Sequence, residues 1–303
     1  MSNLNEAPNI DVPTLSSSAM LVELKISQWT ALKKDRAASS ELTYNKGASK
    51  GAASVNKSLC NCYELDAIKK FTAAVRQTHY SSTVPWSDSG LRLLSTAAYF
   101  DYHKEMTGLQ NELTRLVEEF KTKYEWIRVG EQARMGGLWC ESDYPTAEQV
   151  ADKFAMRISY IPLPDVGDIR VDLPAEQTAV IKEHYKSYYA DQVKGVCDDV
   201  YKRVHESLSA MSERLAEPVE GEKTNKRGHK IFRESLVDNA VGLLDVLSKC
   251  NVTGDSKMEA MRLKLDDALR GVSYESLSYS HAQRVDTKRA ADEILASLPS
   301  LDL

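Results

Sequence analysis

Between Met106 and Ile127 the apolar residues Met106, Leu109, Leu113, Leu116, Phe120, Tyr124 and Ile127 follow one another in steps of 3, 4, 3, 4, 4 and 3. An α-helix turns every 3.6 residues or so, and these steps therefore gather all the side chains into one stripe. A strand would scatter them over both faces, because its side chains alternate with period two. The stripe is nearly heptad, which suits an antiparallel helical hairpin or a coiled coil. Gly136-Gly137 ends it. Such a helix must bury its stripe against other helices, of this chain or of a partner.

A second stripe follows Pro174, which suits a first helical turn. It runs through Ile181, Tyr185, Tyr188, Val193, Val196, Val200, Val204, Leu208, Met211 and Leu215. Further helices are predicted over 63–80, over 232–247, from Ser256 to about Arg270, and over roughly 280–298. Thr146-Ala-Glu-Gln149 and Ser256-Lys-Met-Glu259 read as capping boxes. Residues 30–42 carry helix formers, whereas 43–58, rich in Gly, Ala, Ser and Lys, read as a mobile basic loop. Strand signals are short. Val22, Leu24 and Ile26 alternate with Glu23, Lys25 and Ser27 in a half-buried pattern. Leu91, Leu93 and Leu94 offer a second strand, and Met156–Ile161 with Ile169–Leu173 a pair around a turn. The expected fold is α+β and predominantly helical, a small sheet of short strands with long amphipathic helices and a helical C-terminal half. The expected organisation is a flexible arm over 1–18, a mixed α/β region over 19–173 and a helical region over 174–303.

The 303 residues are 42% hydrophobic and 27% charged, the balance of an ordinary globular chain. A net charge of −5 argues against a whole-molecule polyanion binder but not against a local basic patch. Cys60, Cys62, Cys140, Cys197 and Cys250 are scattered, and Cys60-Asn61-Cys62 is not a C-x-x-C pair, so reduced thiols in a reducing compartment are expected. The polar N-terminus carries no secretory pattern, and no apolar run is long enough to span a bilayer. These features predict a protein of the cytoplasm that makes no membrane contact.

Candidate chemistry is sparse. Lys46-Gly47-Ala-Ser-Lys50-Gly51 lacks the Gly-Lys-Ser/Thr end of a phosphate loop. Trp86-Ser87-Asp88-Ser89-Gly90 fails the nucleophile-elbow pattern and reads as an aromatic anchor with a turn. Asp165, Asp168 and Asp172 have neither EF-hand spacing nor its bidentate Glu, so a hydrated turn is the simpler reading. The histidines form no zinc motif. Tyr185, Tyr188 and Tyr189 suit a packing face more than a binding one. Two basic stretches stand out, one with Lys33, Lys34, Arg36, Lys46, Lys50 and Lys57, the other with Lys223, Lys226, Arg227, Lys230 and Arg233. Lys46, Lys50, Lys57, Lys226, Arg227 and Lys230 are the candidate nucleic-acid contacts. Few aromatic residues accompany them, which weakens a stacking platform for single strands.

Three segments carry a resemblance: L-V-E-L-K-I-S-Q-W-T-A-L-K-K-D (21–35), P-W-S-D-S-G-L-R-L-L (85–94) with Tyr99 to His103 following, and F-A-M-R-I-S-Y-I-P-L-P-D (154–165). They resemble an uncharacterised domain family of tailed bacteriophages and conjugative elements, over roughly 20–220. That family has no assigned activity to carry over to any residue. Its members are often encoded near a MoxR-like AAA+ ATPase and a von Willebrand A-type protein, or near recombination genes. The resemblance implies a phage or mobile-element protein of the host cytoplasm. The expected function is non-enzymatic assembly or interaction without cofactor or metal, through self-association along the seam Met106, Leu109, Leu113, Leu116 and Phe120, with an AAA+ ATPase as a further partner. The alternative is a nucleic-acid-binding accessory factor in phage DNA metabolism.

Overall fold

The computed structural model describes residues 17–87, 89–163, 175–251 and 255–299. The arm up to residue 16, the acidic turn with Asp165, Asp168 and Asp172, the strand expected over Ile169–Leu173, and Asp88 lie outside the described residues. The fold is a predominantly helical α+β, 65% helical, with a helical C-terminal half.

The strands are β1 (Ala19–Ser27), β2 (Leu32–Asp35), β3 (Val55–Ser58), β4 (Val84–Pro85), β5 (Arg92–Ser95) and β6 (Ala155–Pro162). The helices are α1 (Arg36–Asn45), α2 (Tyr63–Ser81), α3 (Tyr99–Met135), α4 (Ala147–Ala151), α5 (Ala175–Leu215), α6 (Ser235–Cys250), α7 (Ser256–Leu269), α8 (Tyr274–Tyr279) and α9 (His281–Ser297). One sheet has four strands in the order β4-β5-β1-β6, and β2 and β3 form a separate antiparallel pair. The chain packs as two compact units, one built from 24–79 and 101–159, the other from the described parts of 1–23, 80–100 and 160–303. The expected division at residue 174 follows the chain, whereas these units draw on segments far apart in sequence.

In the unit built from 24–79 and 101–159, the stripe of α3 is core. Met106, Leu113, Phe120 and Tyr124 are buried, and Leu109 and Leu116 half-buried. Phe120 meets Trp29 at 6.4 Å, Tyr124 at 5.7 Å and Phe154 at 6.1 Å between ring centres, and α2 adds buried Leu65, Ile68 and Val75. Two buried polar pairs are satisfied internally: Tyr102 Oη lies 2.7 Å from His79 Nδ1, and Thr72 Oγ1 donates to Gln28 Oε1 at 3.0 Å. The seam expected to serve self-association is therefore covered by this chain's own residues.

Leu32–Asp35 correct the helix expected over 30–42. They pair with Val55–Ser58, in register Leu32↔Ser58 to Asp35↔Val55, and helix α1 starts only at Arg36. Asp35 is the switch point, since its carboxylate caps α1 by accepting from Ala38 N–H at 2.9 Å. The loop expected over 43–58 shrinks accordingly, and its remainder turns at Gly47 (φ 59°) and Gly51 (φ 93°), which only glycine adopts without strain.

In the other unit, β1 pairs with β5 from Ala19↔Ser95 to Val22↔Arg92. Leu21, Val22, Leu93 and Leu94 are all buried, so both faces are covered here, and the half-buried alternation expected of this strand fails at its start. Helices α6 and α9 pack along α5, and α7 joins α6 to α9. Their core holds Val196, Val200, Val204, Leu208 and Met211 of α5 with Ala240, Leu247, Leu265 and Ile294. The cap of α7 is Asp255, accepting from Lys257 N–H at 2.7 Å, rather than the capping box expected at Ser256. The Thr146 box is present, with Gln149 N–H donating to Thr146 Oγ1 at 3.3 Å and Thr146 N–H to Gln149 Oε1 at 3.0 Å.

Candidate interaction surface

Helix α5 contains one long apolar stripe, and its core covers only part of it. From Tyr189 onward the stripe is closed: Tyr189, Val193, Val196, Val200, Val204, Leu208, Met211 and Leu215 are buried. Tyr189 meets Trp86 edge to face at 5.2 Å, and Tyr185, one turn earlier, is partly buried against the same core. Before Tyr189 the exposure of the helix rises. Val180 is 70% exposed, Ile181 39% and Tyr188 41%, and Tyr185 is half-buried against Tyr189. Residues 176–188 thus extend the helix by about 20 Å at 1.5 Å per residue. Ile181, Tyr185 and Tyr188 sit in steps of four and three, on one side. Glu183 and Lys186 form a solvated pair at 3.8 Å.

A helix needs an amphipathic face and tertiary cover to be stable at this length in water. An uncovered apolar stripe continuous with a core is what a helix-in-groove partner buries. On α3, Trp126 is 81% and Val129 61% exposed, one turn apart. These two residues lie off the buried stripe of Met106, Leu113, Phe120 and Tyr124.

The candidate nucleic-acid residues divide into two kinds. Lys57 is a structural cation. Its side chain is 9% exposed, forms ion pairs with Asp143 and with Asp35 (3.5 Å), and donates to the Leu138 carbonyl at 3.2 Å. The hydrogen bond to Asp143 leads in holding the Lys57 amine above its ordinary range, against burial. Lys33 closes the cluster at 2.7 Å from Asp143. Burial opposes ionisation of Asp143, yet Lys33 and Lys57 hold its carboxyl below the ordinary range. Lys230 pairs with Glu222 at 3.0 Å with its side chain 11% exposed. Arg227 lies over the Tyr279 ring at 4.8 Å and donates to the Tyr279 carbonyl at 2.6 Å. Lys46, Lys50 and Lys226 are exposed and enter no ion pair among the described residues.

The polar stretch from Pro218 to Gly228 folds back as a tight turn. Asn225 N–H donates to the His229 carbonyl at 2.8 Å, and Thr224 bridges Lys230. His229 stacks on His281 at 5.6 Å, and burial, then Arg284 and His281, lower the His229 pKa. Arg284 is buried, donates to the Arg214 carbonyl at 2.8 Å and the Leu277 carbonyl at 3.3 Å, and lies 5.4 Å from the Phe232 ring. Arg227 and Lys230 of the second basic stretch therefore serve the fold of their own unit.

Among the described residues, no three His, Cys, Asp or Glu side chains gather into a metal site, and no helix is long and apolar enough to cross a membrane. An open groove of about 490 Å³ lies between α3, α4 and β6, and its Gln110 is already committed to the Met156 carbonyl at 3.0 Å. The chain matches no protein-family model, no curated protein and no solved structure. Periodicity marked the α5 stripe in advance, but not where its cover stops, since the covering residues come from the 80–100 segment and from helices C-terminal to it.

Proposed function

We propose that the protein is a non-enzymatic interaction protein of a phage or mobile element, and that it engages its partner through the first turns of α5. The observation that supports this is that the α5 stripe, closed from Tyr189 onward, is only partly covered at Ile181, Tyr185 and Tyr188. The seam Met106–Phe120 is the less favoured surface, because Met106, Leu113 and Phe120 are buried in this chain's own core and Leu109 and Leu116 are half-buried. A second copy of the chain and an AAA+ ATPase of the MoxR type, the partner implied by the resemblance, are the two occupants to test. The nucleic-acid reading is the weaker one, because Lys57, Arg227 and Lys230 have internal partners.

The test is light scattering at low and high salt, with and without single-stranded DNA, followed by titration with the ATPase. The parent and an Ile181→Glu/Tyr188→Glu variant are compared throughout. A salt-insensitive complex that the variant loses, in either the self or the ATPase arm, is the expected result. Equal binding by parent and variant would remove α5 as the surface. Uptake of DNA that falls with salt and is lost in Lys46→Glu/Lys50→Glu would move the reading to nucleic acid.

A further inference from the structure

Cys60-Asn61-Cys62 is placed for chemistry that the interaction reading does not use. The two sulfurs lie 3.5 Å apart, with the Cys60 thiol donating to Cys62 Sγ. The loop that carries them is pinned to α3. Asn61 N–H donates to Glu131 Oε1 at 2.7 Å, Glu131 is buried and paired with Arg134, and Arg134 Nη2 donates to the Ser58 carbonyl at 2.6 Å. Cys62 stands at the N-terminal cap of α2: its carbonyl accepts from Asp66 N–H at 3.2 Å and its sulfur from Leu65 N–H at 3.4 Å. Helix amides aimed at a sulfur favour its thiolate.

The two thiols differ in access, Cys60 being buried and Cys62 partly exposed. They also differ in acidity. The hydrogen bond from Cys60, then the Leu65 amide, hold the Cys62 thiol below its ordinary range against burial. The same contact, then burial, push the Cys60 thiol up. The nearby carboxylates that oppose a thiolate are compensated, Glu64 by Lys123 at 3.1 Å and Glu131 by Arg134. A partly exposed, acidic thiol backed by a buried one in contact is the arrangement of an attacking and a resolving cysteine.

We propose that Cys60 and Cys62 form a thiol–disulfide exchange centre that takes low-molecular-weight disulfides, with Cys62 attacking and Cys60 resolving. The Cys62 thiolate attacks one sulfur of the small disulfide, whose S–S bond breaks and releases one small thiolate. Cys62 in the mixed disulfide no longer carries the charge that held the Cys60 proton. That proton passes to solvent, and the Cys60 thiolate attacks Cys62 Sγ and expels the second small thiolate. The protein loses two electrons and two protons, and the small disulfide becomes two thiols.

The test uses the full chain and oxidised glutathione, read by mass spectrometry of peptides so that each cysteine is followed separately. In the parent, glutathione appears transiently on Cys62 and gives way to a Cys60–Cys62 disulfide. In Cys60→Ala the adduct on Cys62 accumulates, and in Cys62→Ala the buried Cys60 stays unmodified over the same time. Cys62, whose sulfur accepts from the Cys60 thiol and the Leu65 amide, reacts faster than exposed Cys140. A parent adduct that persists on Cys62, or Cys60 modified in Cys62→Ala as fast as Cys62 in the parent, would overturn the proposal. If Cys60→Ala loses its helical circular dichroism, the time course of the parent alone decides between these outcomes.

Discussion

Lys57 separates a structural cation from a nucleic-acid contact, and the perturbation is Lys57→Met, which keeps the aliphatic stem and removes the charge. The lysine side chain is 9% exposed, and the Asp143 side chain it meets is 8% exposed. Removing one partner of a buried pair costs about 3–5 kcal/mol, because the other charge is left without compensation. Here Lys33 stays 2.7 Å from Asp143, with its own side chain 47% exposed, so the stranded carboxylate keeps a screened partner. The expected loss is therefore at the low end, about 3 kcal/mol. Asp143→Asn should cost a similar amount, and the double variant should fall short of the sum by about 1–3 kcal/mol, the coupling of groups in contact. Urea unfolding gives the totals, and hydrogen exchange in peptides covering β3 and residues 138–144 shows whether the loss is local to the cluster. The pH dependence has two signs. Asp143, depressed in the folded state, contributes stability above its ordinary value of 3.8 that is lost as pH falls through the folded value. Lys57, raised in the folded state, contributes stability fully present below 10.5 and lost as pH rises through the folded value. A Lys57→Met chain within about 0.5 kcal/mol of the parent, the range of an ordinary surface change, would refute the structural assignment. If that chain also lost affinity for DNA, Lys57 would be a phosphate ligand after all.

Other outcomes follow from the same geometry. Phe120→Ala, at a ring with no exposed surface, should cost about 3–5 kcal/mol in urea melts and leave the solution mass of the folded protein unchanged, since the seam is core rather than interface. Thr146→Ala removes one half of the capping box of α4 and should cost about 1 kcal/mol, read as faster hydrogen exchange over 147–151. Arg284→Met leaves the Leu277 and Arg214 carbonyls without their donor and should cost about 2 kcal/mol. His229, with its pKa lowered in the folded state, contributes stability above its ordinary 6.5 that is lost as pH falls through the folded value, so exchange over 222–230 should quicken on mild acidification.

Helices were legible where the signal is local. The stripe of α3, the Thr146 box and the periodicity of α5 each depend on residues within a few turns, and the structure places them as the spacing implies. Leu32–Asp35 show the opposite case. Their composition favours helix, but the strand is selected by Val55–Ser58 and held by Lys33 and Lys57 converging on Asp143, a residue more than a hundred positions away. The basic residues misled for the same reason: a lysine in a sequence looks like a free charge until its carboxylate is found, and Glu222 for Lys230 is the nearest such partner in the chain.

Period and cover are separate pieces of information, and the proposed interaction surface rests on the difference between them. The spacing from Ile181 to Leu215 names one face of one helix but is silent on what lies against it. On α3 the spacing allows cover by this chain or by a partner, and aromatic side chains from distant segments, Trp29 and Phe154, lie against it. On α5 the spacing suggests ordinary packing, and that packing thins beyond Tyr189, with Tyr185 partly buried and Ile181 and Tyr188 exposed. An apolar side chain held in water costs roughly 25 cal/mol per Å² of exposed surface relative to burial, so the stripe has a driving force for association wherever its cover is missing. The bare turns of α5, rather than the stronger pattern on α3, are therefore the place where charged substitutions should change binding and leave the fold intact.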